Sequence, residues 1–150
     1  MDKQKLQEEL KQSMMARDEL RTSVLRLLLS AVNYYEIQKG GAGYVASEED
    51  VLSVIQKEAK QRKDSIEEFK KAGRQELVDK EQSELKILEG FLPEQMSEED
   101  VRNIVEQTIS ETGASTMGDM GKVMGVLGAK LKGKSDMGMV SGIVRSKLSP

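Results

Sequence analysis

The stretch MGKVMGVLGAKLKGKS, residues 120–135, decides the fold class. Its last eight residues, GAKLKGKS (128–135), fit G-x-x-x-x-G-K-[ST], the phosphate-cradling loop of nucleotide hydrolases. That loop works only between a buried strand and a helix, with its amides aimed at the phosphates. The residues ahead of it follow a helical stripe instead. At about 100° per residue, Met120, Val123, Met124, Leu127 and Leu131 share one face. No apolar run ending in an acid exists to hold a magnesium ion, and no period-two strand exists to carry either element. The nucleotide reading is rejected, and the stretch is a helix followed by a loop.

The same helical wheel gathers Gly118, Gly121, Gly125 and Gly128 on a second face, with Lys122 and Lys130 flanking it and Lys132 and Lys134 in the loop beyond. A glycine inside a helix costs about 1 kcal/mol relative to alanine, so four on one side call for a reason. Close packing of another helix is the favoured reason. Close approach of an RNA or other polyanion backbone, with lysines at the rim, is the second, and the two can coexist.

Outward from this stretch, nearly every segment repeats at the helical period. Leu6, Leu10 and Met14 form a first stripe. After an Asp18 N-cap, Leu20, Val24, Leu27, Leu28 and Ala31 form a second, ending near Gln38 before Gly40, Gly41 and Gly43. Tyr34 and Tyr35 close that helix, one ring placed to pack and the other to face solvent. SEEDV at Ser47 opens a third helix, with Val51, Ile55, Ala59, Ile66 and Phe69 inward and Gly73 as its C′ residue. A fourth runs from Gln75 to Glu89 with Leu77, Val78, Leu85 and Leu88 inward. Gly90 and Pro93 mark a domain boundary. SEEDV recurs at Ser97 and heads a fifth helix through Val101, Ile104, Val105 and Ile109 to Gly113. Helices at about 119–131 and 139–148 complete the chain. The prediction is an all-α fold, with a four-helix part over 1–92 and a three-helix part over 93–150. The repeated acids of SEEDV are read as capping boxes rather than metal ligands or paired catalytic carboxylates.

Apolar residues are 37% of the chain and charged residues 33%, which suits slim helices with one buried stripe each. The net charge of −3 is unevenly spread: residues 116–150 carry six Lys/Arg against two Asp, a balance of +4 that leaves −7 for residues 1–115. With neither Cys nor His, the chain lacks the commonest nucleophile and general base. No nucleophile–base pair is visible, and no metal or cofactor is expected. No signal core and no membrane-length apolar run is found, from which a cytoplasmic protein without a membrane partner is expected. Five of the nine Met residues (Met117, Met120, Met124, Met137, Met139) lie in the last third, as adaptable core filling or as a docking surface.

MGDMGKVMGVLGAKLKGKSDMGMVSGIVRSKL (117–148), preceded by LEGFLPEQMSEEDV (88–101), RTSVLRLLLSA (21–31) and KEAKQRKDSIEEFKKAGRQEL (57–77), resembles the GatB/YqeY family over essentially the whole chain. That family comprises the tail of the B subunit of glutamine-dependent aminoacyl-tRNA amidotransferases and small free-standing proteins built almost wholly from it. At this length the chain resembles the free-standing type, without the catalytic cradle. The resemblance implies a non-catalytic tRNA-binding module tied to an amidotransferase, a carbon–nitrogen ligase with glutamine as donor. Carried over by position, Gly121, Lys122, Gly125, Gly128, Lys130, Lys132, Gly133 and Lys134 would face RNA. Lys60, Arg62, Lys63 and Arg74 are secondary candidates; against them stands a solvated charged face, since Glu58, Asp64, Glu67 and Glu68 interleave. With no aromatic ring in the basic tail, backbone and shape contacts are expected rather than base stacking. The alternative is a protein-interaction module that docks an amidotransferase subunit or an aminoacyl-tRNA synthetase through the Gly/Met surface.

Overall fold

A computed structural model of the chain describes residues 1–150. It is all-helical, and the chain divides into two compact units, Met1–Leu92 and Pro93–Pro150. No helix is long and apolar enough to cross a membrane.

The first unit contains α1 (Lys3–Met15), α2 (Glu19–Gly40), α3 (Glu48–Lys71) and α4 (Gln75–Glu89). Three of the four starts are made by side chains that satisfy an amide left over at the helix end. Asp2 accepts from Lys5 N–H, Asp18 from Arg21 N–H, and Ser47 from Asp50 N–H. At Ser47 the Asp50 carboxylate also reaches back to the serine amide, closing the predicted box. Gly73, at φ +68°, stands one residue past the α3 C-cap, where the left-handed conformation favours glycine.

Leu6 of α1, Val24, Leu25, Leu28, Leu29 and Val32 of α2, Val51, Val54 and Ile55 of α3 and Leu88 of α4 form one core. Polar contacts fix the register around it. Ser13 and Thr22 share a buried hydroxyl–hydroxyl bond of 2.9 Å between α1 and α2. Arg21 reaches Glu9 at 2.7 Å and lies 5.0 Å from the Phe91 ring centroid, a cation–π contact that ties α1 and α2 to the end of the unit.

The α2 stripe is displaced from the one expected. Val24 and Leu28 are buried, but Leu20 and Leu27 are exposed, and Leu25, Leu29 and Val32 take their place. The reason is the number of neighbours. α2 packs against α1, α3 and α4, so its buried face is broad and centred on the Leu25–Leu29 side, away from the narrower stripe. Met14, at the end of α1, is exposed for its part. Tyr34 and Tyr35 divide as expected, the first facing solvent and the second packed against the core.

The second unit contains α5 (Glu98–Thr112), a 3-10 turn (Met117–Asp119), α6 (Met120–Leu131) and α7 (Met137–Leu148). Ser97 caps α5 through Asp100 N–H, and Gly113 ends it at φ +69°. Asp136 caps α7 by accepting from Gly138 N–H, so this helix begins two residues earlier than its apolar stripe suggests. Val101 and Val105 of α5, Val123, Leu127 and Leu131 of α6, and Val140, Ile143, Val144 and Leu148 of α7 make the core. Met120, Met124, Met137 and Met139 pack at its margin. Flexible, unbranched thioethers suit the irregular gaps between three short helices.

Candidate nucleic-acid interface

The stripe Val123, Leu127 and Leu131 turns α6 toward its core, which leaves the glycines on another side. A Cβ built on Gly121, Gly125 or Gly128 meets no atom within 4 Å, and one on Gly118 meets only Thr116 Oγ1 at 3.5 Å. The favoured explanation of these glycines, close packing of a neighbouring helix, is therefore corrected. No other helix of the second unit covers them. The backbone of α6 is bare along this side, and the helical cost of the glycines is not recovered by packing within the chain.

The eight residues that mimic a phosphate loop are split by the structure. Gly128–Leu131 are the last turn of α6, their amides already within a helix, and Lys132–Asp136 are the connection to α7. Gly133 is buried in that connection at φ +77°. Its carbonyl accepts from Gln95 Nε2 at 2.7 Å, and the Lys134 carbonyl accepts from Met96 N–H at 2.9 Å. Gly133 thus shapes and pins the loop without presenting a surface, while Lys132 and Lys134 on either side are exposed.

The lysines of α6 lean toward α5. Lys122 Nζ donates to the Thr112 carbonyl at 3.2 Å, one of the acceptors left over at the α5 C-terminus. Lys130 Nζ meets Glu111 at 3.4 Å. On the wheel Lys122 borders the glycine face, whereas Lys130 projects about 160° from its centre. These contacts are exposed and of the kind that contributes about 0–1 kcal/mol, so either amine can exchange its partner for a phosphate at little cost. Asp119 belongs to the turn before α6. The Ser115 and Thr116 amides hold its carboxyl below the usual range, so it remains an anion beside Lys122.

α7 presents a second bare stretch that sequence reasoning missed. Gly142 is open in the same sense as Gly125, and the exposed Arg145 lies one turn beyond it. The signal was the spacing Gly138, Gly142, Arg145 in MGMVSGIVRSKL, opposite the buried Val140, Ile143 and Val144. Lys147 is engaged with Glu106 at 2.6 Å, a contact that lowers the Glu106 carboxyl.

The secondary candidates lie in the first unit and do not form one patch. Arg62 is nearly buried between α3 and α4, where its guanidinium pairs with Glu81 at 3.1 Å and with Glu84. It is a clamp inside the helical hairpin. Arg74 pairs with Glu76 at 2.6 Å at the head of α4, and the guanidinium holds the Glu76 carboxyl below its ordinary range. Lys60 and Lys63 remain exposed.

Residues 3–148 match the family described as Yqey-like protein. A Lachancea thermotolerans protein named "Altered inheritance of mitochondria protein 41, mitochondrial" is 40% identical over 87 residues, 58% of this chain and 46% of the relative. A Kluyveromyces lactis protein of the same name is 42% identical over 87 residues, 57% of this chain and 45% of that protein. A Schizosaccharomyces pombe protein, "Uncharacterized protein C22F3.15", is 37% identical over 92 residues, 61% of this chain and 72% of that protein. The matched region thus spans just under half the length of the two mitochondrial relatives. Their names overturn the expectation of a cytoplasmic protein. That expectation rested on the lack of a secretory signal core and of a membrane span, and neither feature bears on an organellar address. The match over residues 3–148 places this chain in the YqeY-like family.

Proposed function

We propose that the chain is a non-catalytic tRNA-binding helical module, related to the tail of the amidotransferase B subunit. The observation that carries this reading is the uncovered glycine side of α6, where a Cβ on Gly121, Gly125 or Gly128 meets nothing within 4 Å beyond the neighbouring turns of its own helix. A bare helix backbone lets a sugar–phosphate strand approach more closely than side chains would permit. Lys122 at its edge, Lys132 and Lys134 beyond its C-terminal end, and Arg145 on α7 supply positive charge within an otherwise acidic chain. Such a surface reads backbone and shape, the mode open to a protein with no ring in its basic part.

Gly121→Leu/Gly125→Leu tests the reading. Both side chains enter open space and leucine forms helix better than glycine, so the fold is retained and the melting temperature is expected to hold or rise. Binding to a tRNA pool is expected to fall at least about tenfold, roughly the loss of one or two phosphate contacts. Unchanged tRNA affinity in a folded variant would contradict the assignment.

A protein-docking reading draws on the same bare face together with the exposed Met117 beside it. It predicts the opposite pattern for charge. Replacing Lys122, Lys130, Lys132 and Lys134 by Gln would spare a protein partner and weaken RNA.

A further inference from the structure

Seven of the eight large apolar side chains that the chain leaves exposed belong to the first unit, and four of them lie on α2. Leu20, Leu27, Tyr34 and Ile37 are 41%, 55%, 64% and 64% exposed. They recur at intervals of seven, seven and three, the spacing of a seam that packs on another helix. Ser23 and Ser30 fill the intervening positions, so the seam carries no charge along about 26 Å of helix, at 1.5 Å per residue. A groove beside it is lined by Met14, Arg17, Glu19, Ser23, Arg26 and Leu27, among others.

We propose that this face of α2 is an isologous interface with a second copy of the chain, the two α2 helices antiparallel about a two-fold axis at Ser23. The charges select this occupant and this register. Glu19 and Arg26 border the seam on the same flank, and neither forms an ion pair within the chain. They stand at nearly equal distances on either side of Ser23. A two-fold there sets Glu19 against Arg26 of the second copy, and the symmetry repeats the pair. It also sets Leu20 against Leu27 of the second copy, twice, and brings the two Ser23 side chains together at the closest point. Ser30 then meets the turn between α1 and α2 of the second copy, where Met14 and Met15 are exposed. A two-fold at Leu27 would instead bring the two Arg26 side chains together, a like-charge contact that the register at Ser23 avoids. At this register the two α2 helices overlap over residues 19–27 and leave Tyr34 and Ile37 beyond the contact, so the interface is smaller than the about 800 Å² per side of a standard one and a concentration-dependent dimer is expected.

Sedimentation of the full chain from about 1 to about 200 µM, a range that brackets a micromolar Kd, provides the test. The parent is expected to shift from monomer to dimer, and Leu27→Asp to remain monomeric with unchanged helicity. Glu19→Arg and Arg26→Glu are each expected to raise the dimer Kd at least about tenfold, by placing like charges together. The double variant Glu19→Arg/Arg26→Glu restores opposite charges and is expected to return the Kd to within about threefold of the parent. Arg26→Glu lies away from the helix end, so its effect is free of any capping change. A parent that stays monomeric throughout would overturn the proposal and leave the face to a different helix. A dimer indifferent to Leu27→Asp, or a double variant no better than its singles, would overturn it equally.

Discussion

Asp50 accepts hydrogen bonds from the Tyr35 hydroxyl at 2.9 Å, the Tyr44 hydroxyl at 2.6 Å and the Ser47 amide at 3.0 Å. Those donors hold its carboxyl well below the usual carboxylate range, and the same carboxylate pushes the Tyr44 hydroxyl up to about 12. The residue therefore does more than close a capping box. It fastens the Gly40–Ser47 turn to the head of α3, beside Glu36, which accepts from Lys3 Nζ at 2.6 Å and Ala46 N–H at 2.8 Å. Because the folded carboxyl is depressed, its stabilisation is present above the unfolded value of about 3.9 and is lost as pH falls below it. For Tyr44 the sign reverses: a raised hydroxyl stabilises below about 10, and that contribution is lost as pH rises toward its folded value. Thermal unfolding followed across pH should show Asp50→Asn with a lower Tm at neutral pH and a shallower fall on acidification than the parent. An equally steep acid limb in the variant would show that other carboxylates control it. The sequence revealed half of this arrangement. SEEDV marks the cap at both Ser47 and Ser97, but only the first copy meets two tyrosine hydroxyls, Tyr35 of α2 and Tyr44 of the turn before α3, and that convergence is a tertiary event.

Among the elements, α6 and α2 fared differently, and the cause is the number of neighbours each meets. α6 buries one narrow stripe, so Val123, Leu127 and Leu131 could be read from their spacing alone, and the bare face follows by elimination. What spacing could not tell was whether a helix covers that face. Since a Cβ at Gly125 meets nothing, Gly125→Ala should stabilise the second unit by about 1 kcal/mol in denaturant unfolding. A loss of stability would mean that the face is in contact after all. α2 is surrounded by three helices, and RTSVLRLLLSAV offers apolar residues on nearly every side, so periodicity chose a stripe that is partly exposed. The hairpin of α3 and α4 shows the same limit with charge. KEAKQRKDSIEEFKK looks like a solvated face, yet Arg62 within it is only 12% exposed beside Glu84 at 8%. Removing one partner of such a pair strands the others, so Arg62→Ala should cost about 3 kcal/mol of stability, whereas its tRNA affinity per folded molecule should match the parent. Reduced RNA binding with unchanged stability would return Arg62 to the list of contacts.

The whole molecule joins two helical units, and its all-α class was legible because no segment alternates with period two and most helices open on an Asp or Ser cap. The proposed function concentrates on the second unit. There the basic residues cluster, the glycine side of α6 is open, and the pinned Lys132–Asp136 loop holds two exposed lysines. Gly133, placed by sequence among the RNA-facing residues, turned out to be the loop's buried left-handed hinge, a role that needs three-dimensional neighbours to be seen. Arg145 went unassigned because its partner feature, the open Gly142, lies on a helix read only for its apolar stripe. The affinity of the full chain for a tRNA pool, taken at about 50 and about 200 mM salt beside a variant with Lys122, Lys130, Lys132 and Lys134 changed to Gln, decides whether RNA is the ligand. About four phosphate contacts predict a roughly 50- to 150-fold weakening across that interval, and a much flatter dependence with weaker binding in the variant. Absence of binding at the lower salt, or binding equally strong in the variant, would contradict the account.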